Sequence, residues 1–192
     1  MSTQKIQSII ESSIAVKQQY VADAAFLEKI NSAVTLVASA FKDGYKVQFC
    51  GNGGSAADAQ HLAAEFSGRF YKNRKALPSD ALHCNSSYLT AVANDYSYDD
   101  IYSRLVEGTM YKGDVLVGIS TSGNSGNIVK AFEMAKTMGI LTIGFIGALG
   151  GKMSELSDVL INVPSTDTPR IQESHILIGH IICELVEAQL FA

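Results

Sequence analysis

The stretch Gly51-Asn52-Gly53-Gly54-Ser55 follows a strand-like apolar run and opens a helix-like one. The same arrangement recurs at Ser120-Thr121-Ser122-Gly123-Asn124-Ser125-Gly126-Asn127. A glycine-rich turn from strand to helix exposes backbone N–H groups at the positive end of the helix dipole, which favours a phosphate group. Two such loops therefore indicate an α/β fold that binds a phosphorylated small molecule. The alternative is a pair of ordinary serine and glycine turns, with Ser125 capping the helix that follows.

Five short apolar runs are rich in valine, isoleucine and leucine and do not alternate cleanly with polar residues. They span residues 45–50, 81–84, 114–120, 140–146 and 158–163. Such runs are typical of strands buried on both faces, and the stretches between them have helical spacing. Alternating strands and helices predict a parallel sheet with right-handed crossovers and helices on both faces. Ligands of such sheets bind beyond the carboxyl ends of the strands, where both loops lie.

Residues 1–44 are predicted to form two helices before the first strand. Their apolar stripes consist of Ile6, Ile10, Ile14 and Val21 in the first helix, and Phe26, Leu27, Ile30, Val34, Val37 and Phe41 in the second. A further aliphatic helix is predicted from Arg170 towards Leu190. Because these apolar faces exceed what one sandwich can cover, we expect the protein to form an oligomer.

Length and composition favour one folded domain, residues 1–192. Apolar residues make up 47% and charged residues 18% of the chain, which argues against disorder. The net charge of −4 and the lack of a long basic run argue against nucleic acid as the main ligand. The longest apolar stretch, residues 140–149, is too short to cross a membrane, and the first residues lack a signal-like core, so we expect a cytoplasmic protein. The three cysteines, Cys50, Cys84 and Cys183, are predicted to be buried thiols.

The first loop also fits a dinucleotide site, because Gly51-x-Gly53-x-x-Ala56 after a strand satisfies the relaxed fingerprint. The rest of that fingerprint is missing, since the second predicted strand ends in His83, Cys84 and Asn85 rather than in an acidic residue. A Walker A loop is absent from the sequence. The second loop supplies several hydroxyl groups that suit phosphate oxygens. A sugar phosphate therefore fits both loops better than a nucleotide does.

Two helices carry candidate acid–base or metal-binding side chains. His61 and Glu65 are four residues apart on the helix after the first loop, so they share a face that suits a metal or a simple surface pair. Gln172 and His180 are eight residues apart on the C-terminal helix and face broadly the same way. His175 competes with His180 on this helix, and a buried structural histidine is the alternative for His180. Spacing alone does not choose between them.

The order of these motifs resembles that of the phosphoheptose isomerases of the sugar isomerase (SIS) superfamily. The resemblance spans nearly the whole chain and rests on CGNGGSAADAQH at 50–61, AAEFSGR at 63–69, ND at 94–95, STSGNS at 120–125 and RIQESHI at 170–176. It implies a five-stranded parallel αβα sandwich of flavodoxin-like topology and a homotetramer with active sites at subunit interfaces. The implied activity is the interconversion of sedoheptulose 7-phosphate and D-glycero-D-manno-heptose 7-phosphate, the first step towards the ADP- and GDP-heptose of bacterial lipopolysaccharide and related glycans.

The resemblance also implies roles for individual residues. One zinc ion per subunit would be bound by His61, Glu65, Gln172 and His180, with Glu65 and His180 as the acid–base pair. The substrate would be bound by Asn52, Gly53, Gly54, Ser55, Glu65, Asn94, Asp95, Ser120, Thr121, Ser122, Ser125 and Gln172. A zinc ion at this place would polarise the carbonyl but also occupy the base, so a catalytic and a structural metal are both open. Asn85 and Thr168-Pro169 depart from the family pattern.

Two alternatives lie within the same superfamily. A non-catalytic SIS protein, similar to the paralogue that binds the bacterial replication initiator, would keep the loops but need not retain Glu65 and His180. An SIS isomerase that acts on a hexose or pentose phosphate would retain both residues. Because both are present here, the sequence favours an enzyme.

Overall fold

The computed structural model describes residues 2–191, and its centre is a five-stranded parallel sheet. The strand order is β2-β1-β3-β4-β5, the flavodoxin-like order of a doubly wound fold. The strands are β1 (Val47–Gly51), β2 (Ser79–Ala81), β3 (Val115–Ser120), β4 (Leu141–Ile146) and β5 (Val159–Asn162). Every residue of β3 is buried, as expected for a central strand covered on both faces.

Helices cover both faces of the sheet. They are α1 (Thr3–Val21), α2 (Ala24–Lys42), α3 (Gly54–Ser67), α4 (Ser86–Asp95), α5 (Ile101–Thr109), α6 (Gly126–Met138), α7 (Met153–Leu156) and α8 (Thr168–Leu190), with a short 3-10 helix at Tyr98–Asp100. One hydrophobic cluster joins α1, α2, α3 and α8 to one face of the sheet, and a second joins α4 to α7 to the other face. The predicted αβα sandwich with extra N-terminal helices is thus confirmed.

The strand order reverses between β1 and β3, which are neighbours although β2 separates them in the chain. At the carboxyl end of this pair, Gly51 of β1 is in register with Ile119 of β3. The loop after β1 therefore begins beside the loop after β3. In open parallel sheets such a switch point forms a crevice for ligands, so the topology places both predicted phosphate loops at one site.

The second strand differs from its prediction. It covers Ser79–Ala81 rather than 81–84, because the chain turns after the strand and the N–H of Cys84 bonds to the carbonyl of Ala81. Cys84 is therefore exposed, so its prediction as a buried thiol is wrong. Cys50 and Cys183 are buried, as predicted.

The two N-terminal apolar stripes have different surroundings. In α2 the stripe packs inside the protein, with only Leu27 exposed among its predicted members. In α1 the stripe is largely exposed, and Ile10 retains 54% of its accessible surface. Within the described residues, α2 is the one helix long and apolar enough to span a bilayer. Eight of its residues are buried against the rest of the protein, as in the core helix of a globular fold.

Candidate active site

The first loop turns sharply from β1 into α3. Gly53 has a φ of 55° and lies just before the first residue of the helix. This positive φ is strained for residues with a side chain, which explains the glycine. The hydroxyl of Tyr102 donates to the Gly51 carbonyl and fixes the end of β1. Ser55 is buried in the first turn of α3, so the loop presents Gly53 and Gly54 to solvent.

Three hydroxyl groups converge in the second loop. The Ser120 Oγ atom lies 2.9 Å from the Oγ atom of Ser125 and 3.4 Å from that of Ser122. Ser125 precedes α6, but its side chain makes no capping hydrogen bond to the helix. Ser125 thus occupies the N-cap position of α6, but the side-chain cap that the alternative predicts is not formed. Its hydroxyl instead belongs to a cluster beside the positive end of α6, which is chemically suited to phosphate oxygens.

The two loops are joined by side-chain amides. The Nδ2 atom of Asn52 donates to the Oδ1 atom of Asn127 at 2.9 Å, and the Nδ2 atom of Asn127 donates back to Asn52 at 2.8 Å. The hydroxyl of Tyr98 also donates to the Oδ1 atom of Asn52, at 3.2 Å. Asn127 and Tyr98 were not among the predicted site residues. Asn127 stands in the quoted loop, but its role depends on a contact between distant loops that spacing does not reveal.

Three other predicted substrate-binding residues, Thr121, Asn94 and Asp95, take no part in this link between the amides. Thr121 holds the loop against the segment after β4, because its carbonyl accepts a hydrogen bond from Gly147 at 3.1 Å. Asn94 and Asp95 are exposed at the C-terminal end of α4, where the Asn94 amide donates to the Asp95 carboxylate at 2.9 Å. The 3-10 helix that bonds to Asn52 follows directly. Within the part of the chain that the structure describes, neither side chain hydrogen-bonds to either loop.

A carboxylate and two imidazoles meet between α3 and α8. The Nε2 atom of His61 lies 3.2 Å from the Oε1 atom of Glu65 and 3.0 Å from the Nε2 atom of His180. We call these three residues the His–Glu–His cluster. His61 is exposed, whereas Glu65 and His180 are partly buried, so a small molecule can reach all three. The sequence predicted the His61–Glu65 pair, and the fold adds His180 from a helix more than 100 residues away in the chain.

The two histidines of α8 have different environments. His175 is fully buried, and burial lowers its pKa to about 4 although its hydrogen bond to the Ile146 carbonyl favours the protonated form. His180 is partly exposed and lies in the His–Glu–His cluster. The buried structural histidine is therefore His175, and His180 is the candidate for chemistry.

Gln172 and Asp58 also lie close to the start of α3 and its first turns. A Cβ atom added to Gly54 would come within 2.6 Å of the Nε2 atom of Gln172, so this amide packs directly on the first loop. Asp58 lies one turn before His61, and burial raises its pKa although the nearby His61 opposes the shift. Sequence reasoning did not single out Asp58. Its distinguishing feature, a partly buried carboxylate facing a histidine, appears only in the fold.

The donor atoms of the His–Glu–His cluster fit a zinc ion. All three residues offer one ligand atom, and these atoms lie within 4.8 Å of one another. Nitrogen and oxygen ligands at the usual zinc distances stand about 3.3 Å apart in a tetrahedral site. The separations of 3.0 and 3.2 Å in the cluster agree with that spacing. In the tautomer protonated at Nδ1, each of the two facing imidazoles offers an Nε2 lone pair to a cation.

The chain is similar in sequence to one family of known proteins. The model of the SIS domain family matches residues 10–147. The chain is 54% identical to a phosphoheptose isomerase of Clostridium acetobutylicum over 97% of this chain and 95% of that protein. It is 53% identical to a phosphoheptose isomerase of Aneurinibacillus thermoaerophilus over 97% and 94% of the two chains.

Solved structures agree with these relatives. The structure of a phosphoheptose isomerase from Neisseria gonorrhoeae superposes with a TM-score of 0.90 at 39% identity and covers 96% of this chain and 98% of its own. That of a phosphoheptose isomerase from Francisella tularensis gives a TM-score of 0.92 at 33% identity, with 98% and 100% coverage. The chain therefore belongs to the phosphoheptose isomerase family of SIS-domain proteins.

Proposed function

We propose that this protein is an aldose–ketose isomerase that interconverts sedoheptulose 7-phosphate and D-glycero-D-manno-heptose 7-phosphate. Its full-length relatives at more than 50% identity are phosphoheptose isomerases. The observation that carries the proposal is the position of Glu65 beside two imidazoles, on a helix that begins at a phosphate loop. This arrangement combines an anion site with groups that move protons. A binding protein without catalytic activity would not need the second feature.

The reaction transfers a proton between two adjacent sugar carbons through an enediol. We assign Glu65 as the base that removes the proton from the carbon next to the carbonyl and returns it to the neighbouring carbon. His180, whose Nε2 atom lies 3.0 Å from that of His61, can donate a proton to, or accept one from, the sugar oxygens as the enediol forms.

We propose that the two loops bind the phosphate group of the substrate. The hydroxyls of Ser120, Ser122 and Ser125 supply donors, and the N-termini of α3 and α6 supply a positive potential. Gln172, which packs on Gly54, lies between this anion site and His180 of the same helix. The other proposed substrate-binding positions are Asn52, Gly53, Ser55, Asn94, Asp95 and Thr121. Of these, Asn52 has its side-chain amide engaged with Asn127, so we assign it a role in holding the loop.

We further propose that His61, Glu65 and His180 hold one zinc ion per subunit, with Gln172 as the fourth ligand. The spacing of the three donor atoms supports this assignment. A bound zinc ion would supply a Lewis acid next to the sugar oxygens, and because it would occupy Glu65 and His180, we assign their acid–base roles to the metal-free cluster. Independently of the ion, the Nε2 atom of His61 lies 3.2 Å from the Oε1 atom of Glu65 and so holds this carboxylate beside the imidazole pair.

We also propose a compartment, a pathway and an oligomeric state for the enzyme. We place the enzyme in the cytoplasm, as a single SIS domain of residues 1–192, at the entry to ADP- and GDP-heptose synthesis for lipopolysaccharide and related glycans. The three cysteines are free thiols, which suits a reducing compartment. We propose a homotetramer, because α1 exposes an isoleucine stripe that the described chain leaves uncovered.

Turnover of two sugar phosphates tests the function. The purified protein is incubated with sedoheptulose 7-phosphate and, in parallel, with fructose 6-phosphate, and aldose formation is followed by NMR. We expect turnover of the heptulose phosphate and at least about 100-fold less of the hexulose phosphate. The reverse preference would identify an isomerase of another sugar phosphate. No turnover of either compound, with or without added zinc, would contradict the proposal.

A further inference from the structure

The segment after α3, residues 68–77, winds around one buried carboxylate of α8. The Oε1 atom of Glu187 accepts hydrogen bonds from the backbone N–H groups of Tyr71 and Lys72, at 2.8 and 2.7 Å. Its Oε2 atom accepts from the N–H of Phe70 at 3.1 Å and from the Nε atom of Arg74 at 2.8 Å. Burial by itself raises the pKa of Glu187, but these donors outweigh it and the pKa is lowered overall. Glu187 is therefore a charged anchor for this segment.

Arg74 connects this anchor to the end of α3. Its side chain is only 2% exposed. The Nη2 atom donates to the carbonyl of Glu65 and the Nη1 atom to the carbonyl of Phe66, both at 2.8 Å. The last carbonyls of a helix have no partner within the helix, so a buried guanidinium that binds them fixes the position of the last turn. That turn carries the proposed base.

The same ion pair fixes α8 relative to α3. Glu187 follows His180 by seven residues, about two helical turns, so both side chains project from the same face of α8. Phe70, whose N–H binds Glu187, places its ring 5.7 Å from the His180 ring. The helices also approach closely at Gly179, where an added Cβ atom would come within 2.5 Å of Leu62. A small shift of α3 relative to α8 therefore changes the distances within the His–Glu–His cluster.

We propose that Arg74 and Glu187 are positioning residues for the isomerase reaction. The ion pair sets the relative position of α3 and α8 and, through Phe70, the orientation of the His180 ring. Among the described residues, neither side chain of the pair hydrogen-bonds to the phosphate loops or to the side chains of His61, Glu65 or His180. This inference rests on the proposed function. It predicts that loss of the pair lowers kcat and leaves the binding of the phosphate group unchanged, because proton transfer depends on geometry to within about 1 Å.

The test compares Arg74→Lys and Glu187→Gln with a matched control, Asp114→Asn. Asp114 is also a buried carboxylate that accepts backbone hydrogen bonds, from Lys46 and Tyr111, but it lies at the amino end of the sheet, away from the site. For each variant, thermal stability is measured by circular dichroism, and kcat and KM with sedoheptulose 7-phosphate are measured at a temperature where the protein is folded. We expect kcat to fall about 10- to 100-fold in the two ion-pair variants, with KM within about threefold of wild type. The control is expected to lose stability but keep its kcat.

Unchanged kcat in folded Arg74→Lys or Glu187→Gln, or an equal loss of kcat in Asp114→Asn, would overturn the inference. If both ion-pair variants fail to fold, Phe70→Leu decides, because it keeps the ion pair and removes only the ring beside His180. An unchanged kcat in Phe70→Leu would then overturn the inference, and a reduced kcat with unchanged KM would support it. These outcomes differ from failure of the proposed function, in which the wild-type protein itself shows no turnover.

Discussion

Asn52 and Asn127 exchange two amide hydrogen bonds, of 2.9 and 2.8 Å, across the switch point of the sheet. Asn52 belongs to the loop after β1 and Asn127 to the first turn of α6. Asn127 is 2% exposed, so solvent cannot replace either bond without a rearrangement. The pair therefore sets the distance between the two loops that we propose bind one phosphate group.

Asn127→Ala is expected to weaken substrate binding. The substitution removes both interloop bonds and leaves the Asn52 amide without its main partner, so the loops lose their fixed separation. We expect KM for sedoheptulose 7-phosphate to rise about tenfold, since one or two hydrogen bonds of this kind contribute about 1 to 2 kcal/mol. Steady-state kinetics provide the measurement.

Asn162→Ala is the control for Asn127→Ala. Asn162 is partly buried and accepts a hydrogen bond from Lys29 at 2.9 Å, but it ends the outer strand β5, away from the two loops. The KM of Asn162→Ala for sedoheptulose 7-phosphate is expected to match that of the wild-type protein. If the two alanine variants have the same KM, the link between the loops does not support phosphate binding.

Glu65→Gln and His180→Gln test the acid–base pair. Glutamine keeps the approximate size of each side chain but cannot take up a proton, so kcat is expected to fall at least about 100-fold in each variant. The measurement is aldose formation by NMR, with circular dichroism as the check on folding. His175→Gln is the matched control on α8 for a histidine that lies in the core rather than in the cluster. Turnover that persists in folded Glu65→Gln would exclude Glu65 as the base.

Much of the fold follows from the local pattern of the sequence. Four of the five strands lie within or one residue beyond their predicted runs, because strands of a covered parallel sheet consist of continuous apolar residues. The second strand is shorter and displaced, since only one of its three residues is buried and the chain turns at Cys84 directly after it. The exposed stripe of α1 and the buried stripe of α2 look alike in sequence, and only packing tells them apart.

Part of the candidate site could also be predicted from the local sequence pattern. His61 and Glu65 are helical neighbours, so their pairing follows from spacing. Three features depend on contacts between distant segments and have no local signal: the choice of His180 over His175, the Asn52–Asn127 pair and the Arg74–Glu187 pair. The family resemblance supplied the first of these, and the other two required the fold.

Zinc binding is expected to depend on the His–Glu–His cluster. Dialysed wild-type protein should bind one equivalent of Zn²⁺ per chain in isothermal titration calorimetry, and His61→Ala should weaken that affinity at least about tenfold, because it removes one of the nitrogen donors. His83→Ala is the control, since His83 lies after β2 and outside the cluster. Equal zinc affinity in wild type and His61→Ala would contradict the assignment.

The free energy of unfolding is expected to decrease as the pH is lowered from 6.5 to 4, because of His175. Above pH 6.5 this imidazole is neutral in both the folded and the unfolded chain, and its ionisation contributes nothing. As the pH falls, the unfolded chain binds a proton at the ordinary pKa of 6.5, whereas burial holds the native pKa at about 4. The free energy of unfolding therefore decreases through this window, by up to about 3 kcal/mol, and the loss is complete below pH 4.

Urea unfolding of wild type and His175→Leu at several pH values measures this contribution. The other titrating groups are common to both proteins, so the difference between their unfolding free energies isolates His175. The carbonyl of Ile146 keeps a partner in the variant, because it also accepts a hydrogen bond from Val163 at 2.9 Å. Parallel curves between pH 6.5 and 4 would show that His175 is not held neutral by burial.

Assembly is expected to depend on the isoleucine stripe of α1. The stripe consists of Ile6, Ile9, Ile10 and Ile14, each between 44% and 57% exposed. Burying it in a subunit interface removes apolar surface from water, and a carboxylate in its centre would be buried without a partner. We expect wild type to sediment as a tetramer and Ile10→Glu to weaken association at least about 100-fold. Gln4→Glu adds the same charge at an exposed polar position of α1 and should still form the tetramer. A wild-type protein that sediments as a stable monomer, or an Ile10→Glu variant that assembles like Gln4→Glu, would contradict a role for this stripe in the interface.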